Sequence, residues 1–288
     1  MTMRNLLAFL SGEEESGNVV EAAFRLAGGF GAHVVGLHVK GNLADNLPFV
    51  GEGMSQRDVA RTFEYAREQL NARETRAKEA FDAVCARLGV AMREIPAEAD
   101  GLTAAWQVMT GSASSILSQL GRLYDLLVLS PIGAVSGGTA VGALEGALFQ
   151  TGRPILVAPH MMPETIGRNI FIAWNRSAQA ARAVAAAMPL IEKASKVTIG
   201  SVDTGSKLGP SAEELSASLA WHGVHADVRL FSDEGGPLAE LLVSYAENAG
   251  ADLMVMGAYS HARFQELVLG GVTNHTLRHV TLPVLMAH

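Results

Sequence analysis

Hydrophobic and polar positions along the chain follow two alternating periods. Short apolar runs recur near residues 5–10 (NLLAFL), 33–39, 104–109, 125–130 (DLLVLS) and 154–158. They recur again near 169–174 (NIFIAW), 196–202, 225–231, 253–257 and 283–287. Runs this short, apolar at nearly every position, are strands buried on both faces. In the second half the intervening segments predict helices near 178–192, 211–222, 237–249 and 271–280. Asn175 and Ser177 are suited to cap the first of these, and Pro210 and Pro237 stand near two starts. Strand and helix in strict alternation predict a parallel sheet covered on both faces. In the first half one helix is longer, over 56–88, with Val59, Phe63, Ala66 and Leu70 at helical spacing. At 1.5 Å per residue it spans roughly 50 Å, so it is expected to kink or to overhang its sheet.

The two halves repeat one another. DLLVLS from Asp125 corresponds to DLMVMG from Asp252, and PILVAP from Pro154 to PVLMAH from Pro283; the offsets are 127 and 129 residues. NLLAFL and NIFIAW each precede a polar turn and an Ala-rich helix. Matched elements in matched order predict two copies of one fold. The boundary is expected in the Pro-flanked segment 160–167 (HMMPETIG), giving domains over 1–160 and 161–288. The long helix is the main asymmetry between them.

Composition narrows the function. The 288 residues are 49% hydrophobic with only 6% aromatic, which suits closely packed α/β layers. A net charge of −7 argues against nucleic acid or an anionic membrane as the main partner. No run of 18 apolar residues occurs, so no membrane span is expected. The opening MTMRNLLAFLSGEEESG reads as a first strand rather than a signal peptide. A single cysteine, Cys85, excludes an internal disulfide and fits a reducing cytoplasm.

The last 37 residues carry the clearest candidate site. Gly257 ends an apolar strand, and Gly270 and Gly271 open a helix. Such a loop feeding a helix N-terminus is a common phosphate cradle, with glycines allowing close backbone approach to an anion. Thr273 offers a hydroxyl, and His261 and Arg263 offer positive charge. On spacing alone the same residues also fit a plain strand–loop–helix connection. The segment resembles the universal stress proteins, which carry a G-x2-G-x9-G-[S/T] loop after their fourth strand. Here Gly257 is followed by Ser260 at the second glycine position, then by nine residues and Gly270. Gly271 stands in place of the Ser/Thr, with Thr273 two residues later.

The resemblance implies two doubly wound five-stranded parallel-sheet domains of the adenine nucleotide alpha hydrolase-like kind, each with strand order 3-2-1-4-5. Its ligand crevice lies where the first and fourth strands part. Asn175, Val202, Asp203 and the loop from Gly257 would line it, Asn175 standing where the family often has Asp. The resemblance also implies an internal pseudo-dimer, with residues 155–157 beside 284–286. It implies ATP or a related adenine nucleotide, with Mg2+, in the C-terminal domain of a stress-response regulatory protein. A non-nucleotide protein-interaction module of the same fold is the alternative, with the 56–88 helix as its surface. A further homodimer is left open.

The first half departs further from the motif. Ser130 replaces the first glycine, Pro131 follows, and SGGT at 136–139 reads as mid-loop; Val141 and Gly142 stand near the place of the G-[S/T] pair. This loop is expected to have lost its ligand. SGEEES also lacks the SGGxDS of related adenylating enzymes, and its acidic run would repel phosphate. No catalytic residue and no metal site is expected. His275 and His279, four apart, read as surface residues, and Ser260 with His261 are adjacent rather than facing. No G-x-S-x-G elbow and no Walker-type lysine occurs, so hydrolysis would at most be slow. Cys85, Trp106 and Trp174 read as core, Trp221 as partly exposed.

Overall fold

The computed structural model describes residues 3–42, 55–94, 101–132, 138–203, 209–232, 238–258 and 281–288. In chain order the first half gives β1 (Asn5–Phe9), α1 (Ser16–Gly28), β2 (His33–Lys40), α2 (Gln56–Leu88), β3 (Ala91–Met92), β4 (Thr103–Thr110), α3 (Ala113–Leu120), β5 (Leu126–Leu129), α4 (Gly138–Gln150) and β6 (Ile155–Val157). The second gives β7 (Asn169–Ala173), α5 (Ala178–Ile191), β8 (Lys196–Asp203), α6 (Ala212–Ala220), β9 (Ala226–Ser232), α7 (Leu238–Asn248), β10 (Leu253–Gly257) and β11 (Val284–Ala287). The helix expected near 271–280 lies outside the described residues.

All strands join one sheet in the order β3-β4-β2-β1-β5-β6-β11-β10-β7-β8-β9. Each side of the β6–β11 seam reads 3-2-1-4-5, with β3 an added edge strand that the sequence pattern did not predict. Every pairing is parallel except the seam, where Val157, Leu156 and Ile155 lie opposite Val284, Leu285 and Met286 in antiparallel register. The edges expected to meet do meet, and the result is a continuous sheet rather than two separate ones.

Period-two alternation sorts the strand residues into two cores. On β1, Leu6, Ala8 and Leu10 face one core and Leu7 and Phe9 the other; on β7, Ile170, Ile172 and Trp174 oppose Phe171 and Ala173. Both cores draw on both halves of the chain. One is covered by α1, α2, α5 and α6, the other by α3, α4 and α7. Glycines let aromatic rings lie flat against the sheet. A Cβ on Gly36 would stand 2.6 Å from the Phe81 ring, and one on Gly200 would stand 2.2 Å from that of Phe171. Burying a Phe ring contributes up to about 3 kcal/mol, which explains why the close approach is worth a glycine.

One device ties strand starts together in both halves. Asp125, just before β5, accepts from the amides of Arg4 (2.8 Å) and Asn5 (3.2 Å). Asp252, just before β10, accepts from Gly167 (3.0 Å), Arg168 (3.1 Å) and Asn169 (2.9 Å), and from the Thr165 hydroxyl.

Helix α2 runs unbroken from its Ser55 cap, whose hydroxyl accepts from the Asp58 amide, to a left-handed Gly89. Its buried positions begin at Ala66, so its first turns overhang the sheet. Helix α6 starts from a capping box, Ser211 with Glu214, one residue after the proline that marked it in the sequence. Gly138 and Thr139, expected mid-loop, belong to α4, as do Val141 and Gly142. Cys85 and Trp174 are buried, Trp106 only partly, and Trp221 is 92% exposed, well beyond partial. Among the described residues no helix is long and apolar enough to cross a membrane.

Candidate functional site

The topological switch point of the second half lies between β7 and β10. Ala173 pairs with Gly200 on one side and with Met256 on the other. That register carries Asn175 to the level of Val202 and sets Gly257 beside Trp174. Three of the nine residues singled out in the sequence, Asn175, Val202 and Gly257, thus stand at the carboxyl ends of three adjacent strands. Ser260, His261, Arg263, Gly270, Gly271 and Thr273 lie outside the described residues.

Asn175 is exposed, and its Oδ1 accepts from the Ser177 amide (3.2 Å) and hydroxyl (2.6 Å). Ser177 in turn caps α5, accepting from the Ala180 amide at 3.1 Å. The Asn175 oxygen is committed to this chain of bonds, and among the described residues its Nδ2 amide donates to none. Of the first-turn amides of α5, that of Ala180 is taken by the Ser177 cap, and those of Ala178 and Gln179 have no intrahelical acceptor. Val202 is half-buried and packs against the core on the α7 side.

Gly257 serves a different purpose from a sharp turn. It is still paired in the sheet, opposite Ala287, and the ladder continues to Ala258, whose amide donates to the Ala287 carbonyl at 2.9 Å. Its constraint is space: a Cβ here would lie 2.4 Å from the Ala180 nitrogen and 2.7 Å from the Gln179 carbonyl carbon. The glycine lets the N-terminus of α5 sit directly on the strand end from which the loop leaves.

Arg176 was missed by the sequence reading. It is the one non-glycine residue with positive φ (64°) among the described residues. Its carbonyl packs against Gly209, where a Cβ would come within 2.6 Å, and its guanidinium donates to the Gly209 carbonyl at 3.4 Å. A strained arginine at a crevice mouth is a feature that functional sites retain. The signal was available: aligning NLLAFLSG with NIFIAWNR sets Arg176 against Gly12, whose φ is 80°.

In the first half α2 lies directly against the equivalent turn. Gly12 lies so near this helix that a Cβ would stand 2.2 Å from the Arg73 carbonyl oxygen. Arg76 donates to the Gly12 carbonyl (2.8 Å), and Arg73 pairs with Glu13 (3.1 Å). Lys40 at the end of β2 pairs with Glu74 (2.9 Å). The Gly12 amide is taken by the Ser16 hydroxyl at 3.0 Å. Beneath, buried His38 holds the Leu10 carbonyl through Nδ1 at 2.7 Å.

Residues 168–288 match the model of the Universal stress protein family. A curated universal stress protein of Synechocystis sp. is 28% identical over 192 residues, 62% of this chain and 64% of that protein, so the chain spans just under two thirds of that relative's length. Among solved structures, a universal stress protein from Archaeoglobus fulgidus DSM 4304 superposes with TM-score 0.63 at 16% identity, over 100% of this chain and 99% of that one. A putative universal stress protein from Pseudomonas aeruginosa UCBPP-PA14 gives 0.53 at 14% identity, over 99% and 93%. At these identities the structures speak for the fold alone, and the family match is carried by the second half. The second half, residues 168–288, is thus similar to the universal stress protein family, and the whole chain shares the fold of a solved universal stress protein.

Proposed function

We propose that the chain is a stress-response regulatory protein of two domains, 1–160 and 161–288, that binds ATP or a related adenine nucleotide in the second. The observation that carries this reading is the asymmetry of the two switch-point crevices. In the first, α2 is bonded to the β1–α1 turn through Arg73 and Arg76. In the second, Asn175, Val202 and Gly257 stand at the ends of three adjacent strands, Gly257 lies against the N-terminus of α5, and Arg176 follows Asn175 with positive φ.

These residues suit an adenine nucleotide. Half-buried Val202 offers an apolar wall for a base, the Asn175 amide a donor for ribose, and the α5 amides a positive dipole end for phosphate. Ser260, Gly270, Gly271 and Thr273 would complete the phosphate cradle. Mg2+ would arrive with the phosphates and neutralise part of their charge. The chain's own contribution is to bind and orient; any hydrolysis would be slow, because the sequence holds no Walker-type lysine.

Isothermal titration of nucleotide-free protein with ATP and magnesium tests the reading. One site per chain with micromolar-to-millimolar affinity is expected; no heat across that range overturns it. A second reading, a protein-interaction module, is favoured by the overhanging turns of α2, which expose Phe63 and Tyr65. Removing residues 56–65 should then abolish partner capture and leave ATP affinity unchanged.

A further inference from the structure

The two ends of the sheet are finished differently. At one end β3 starts a cover over β4, with Ala91 and Met92 opposite Thr103 and Ala104. At the other, among the described residues, the seven-residue β9 pairs with β8 on one side only; of its carbonyls, that of Ala226 also accepts from the Ser216 hydroxyl at 3.1 Å. An open edge is a row of unpaired backbone donors and acceptors, a template for another strand. We propose that this edge is the site at which two copies of the chain associate, β9 pairing antiparallel with β9 of the second copy about a two-fold axis at Val228.

The sequence of β9, ADVRLFS, is self-complementary about that axis. Antiparallel pairing centred on Val228 sets Asp227 opposite Arg229 of the second copy, and Arg229 opposite Asp227. Both side chains are exposed, and neither forms an ion pair among the described residues. A two-fold interface repeats each contact, so one complementary pair becomes two. The same register sets Ala226 opposite Leu230, which is 63% exposed at an otherwise uncovered position. Trp221, exposed at the end of α6, lies at the Ala226 end of the strand, on the side from which Leu230 of the second copy would arrive. Edge pairing therefore covers two large apolar side chains together with the backbone row. The opposite edge has no equivalent: neither β3 (AM) nor the part of β4 (TAAWQVMT) beyond it contains a charged residue to pair with itself.

Sedimentation equilibrium of the full chain over a wide concentration range tests the proposal, with three variants. The unaltered chain should dimerise. Asp227→Arg and Arg229→Asp each set like charges opposite one another twice and should weaken the dimer by about tenfold or more. The double exchange, Asp227→Arg with Arg229→Asp, restores both pairs and should return the affinity. Amide hydrogen exchange of residues 226–230 in the unaltered chain should slow as concentration rises. A chain monomeric at every concentration overturns the proposal. So do single variants that dimerise as the parent does, or a folded double variant that stays dissociated. Concentration-independent exchange along β9 overturns it as well.

Discussion

The backbone of Ala180 occupies the space where a side chain at Gly257 would begin: a Cβ there would stand 2.4 Å from the Ala180 nitrogen. The strand end that launches the C-terminal loop and the helix N-terminus above it are thus in direct backbone contact. Gly257→Ala forces the two apart. Overpacking of this kind costs about 1–3 kcal/mol, and because backbone atoms must move, the upper part of that range is expected. Thermal unfolding should show the loss. ATP affinity should fall beyond what stability explains, since the displaced α5 is one wall of the proposed crevice.

Asn175→Asp separates the two roles of that side chain. Aspartate keeps the acceptor for the Ser177 amide and hydroxyl, so the α5 cap survives. It loses the Nδ2 donor proposed for the ribose. Unchanged melting with several-fold weaker ATP binding is expected; Asn175→Ala should lower both. Titration calorimetry beside thermal melts decides between the two patterns.

Asp252 is a structural carboxylate. It is buried and accepts from three consecutive strand-entry amides and from Thr165. Asp252→Ala leaves those donors without partners, at a cost of about 3 kcal/mol. Urea unfolding should place this variant well below the parent. Asp125→Ala, which frees only two amides, should lose less.

His38 makes the first half sensitive to acid. Burial draws its pKa below the ordinary histidine value, and Lys40 and Arg73 push the same way; the Leu10 carbonyl and Glu74 oppose them. The folded state therefore favours neutral imidazole more than the unfolded chain does. Stability from this group is complete above the unfolded pKa, near 6.5, and is lost as pH falls through the lower folded value. Chemical unfolding from pH 8 to pH 5 should show declining stability, with a smaller slope in His38→Gln.

Cys85 is buried on α2, and burial, with Asp82 nearby, raises its thiol pKa to about 11. Almost no thiolate exists at neutral pH. A thiol-reactive chromophore should modify the native chain very slowly and the denatured chain at once. Rapid native labelling would mean that the C-terminal turns of α2 open readily.

The alternation of strands and helices was legible in the residues, because burial writes a period of two or of 3.6 into the sequence itself. So was the correspondence of the halves, down to Asp125 and Asp252. The family resemblance supplied the strand order and the seam of Ile155–Val157 against β11, both of which the sheet contains. Asn175 and Val202 could be picked out because strand ends at a switch point follow from that order. What only the tertiary structure decided are the close approaches. The sequence contains Gly257 and Gly12 but does not say that α5 lies on one and α2 on the other. Nor does it say that Arg176 takes a left-handed turn against Gly209. Local pattern records which face a residue presents to a core. Which backbone arrives within van der Waals distance depends on how whole elements stack, and that sets α2 against Gly12 in one half and α5 against Gly257 in the other.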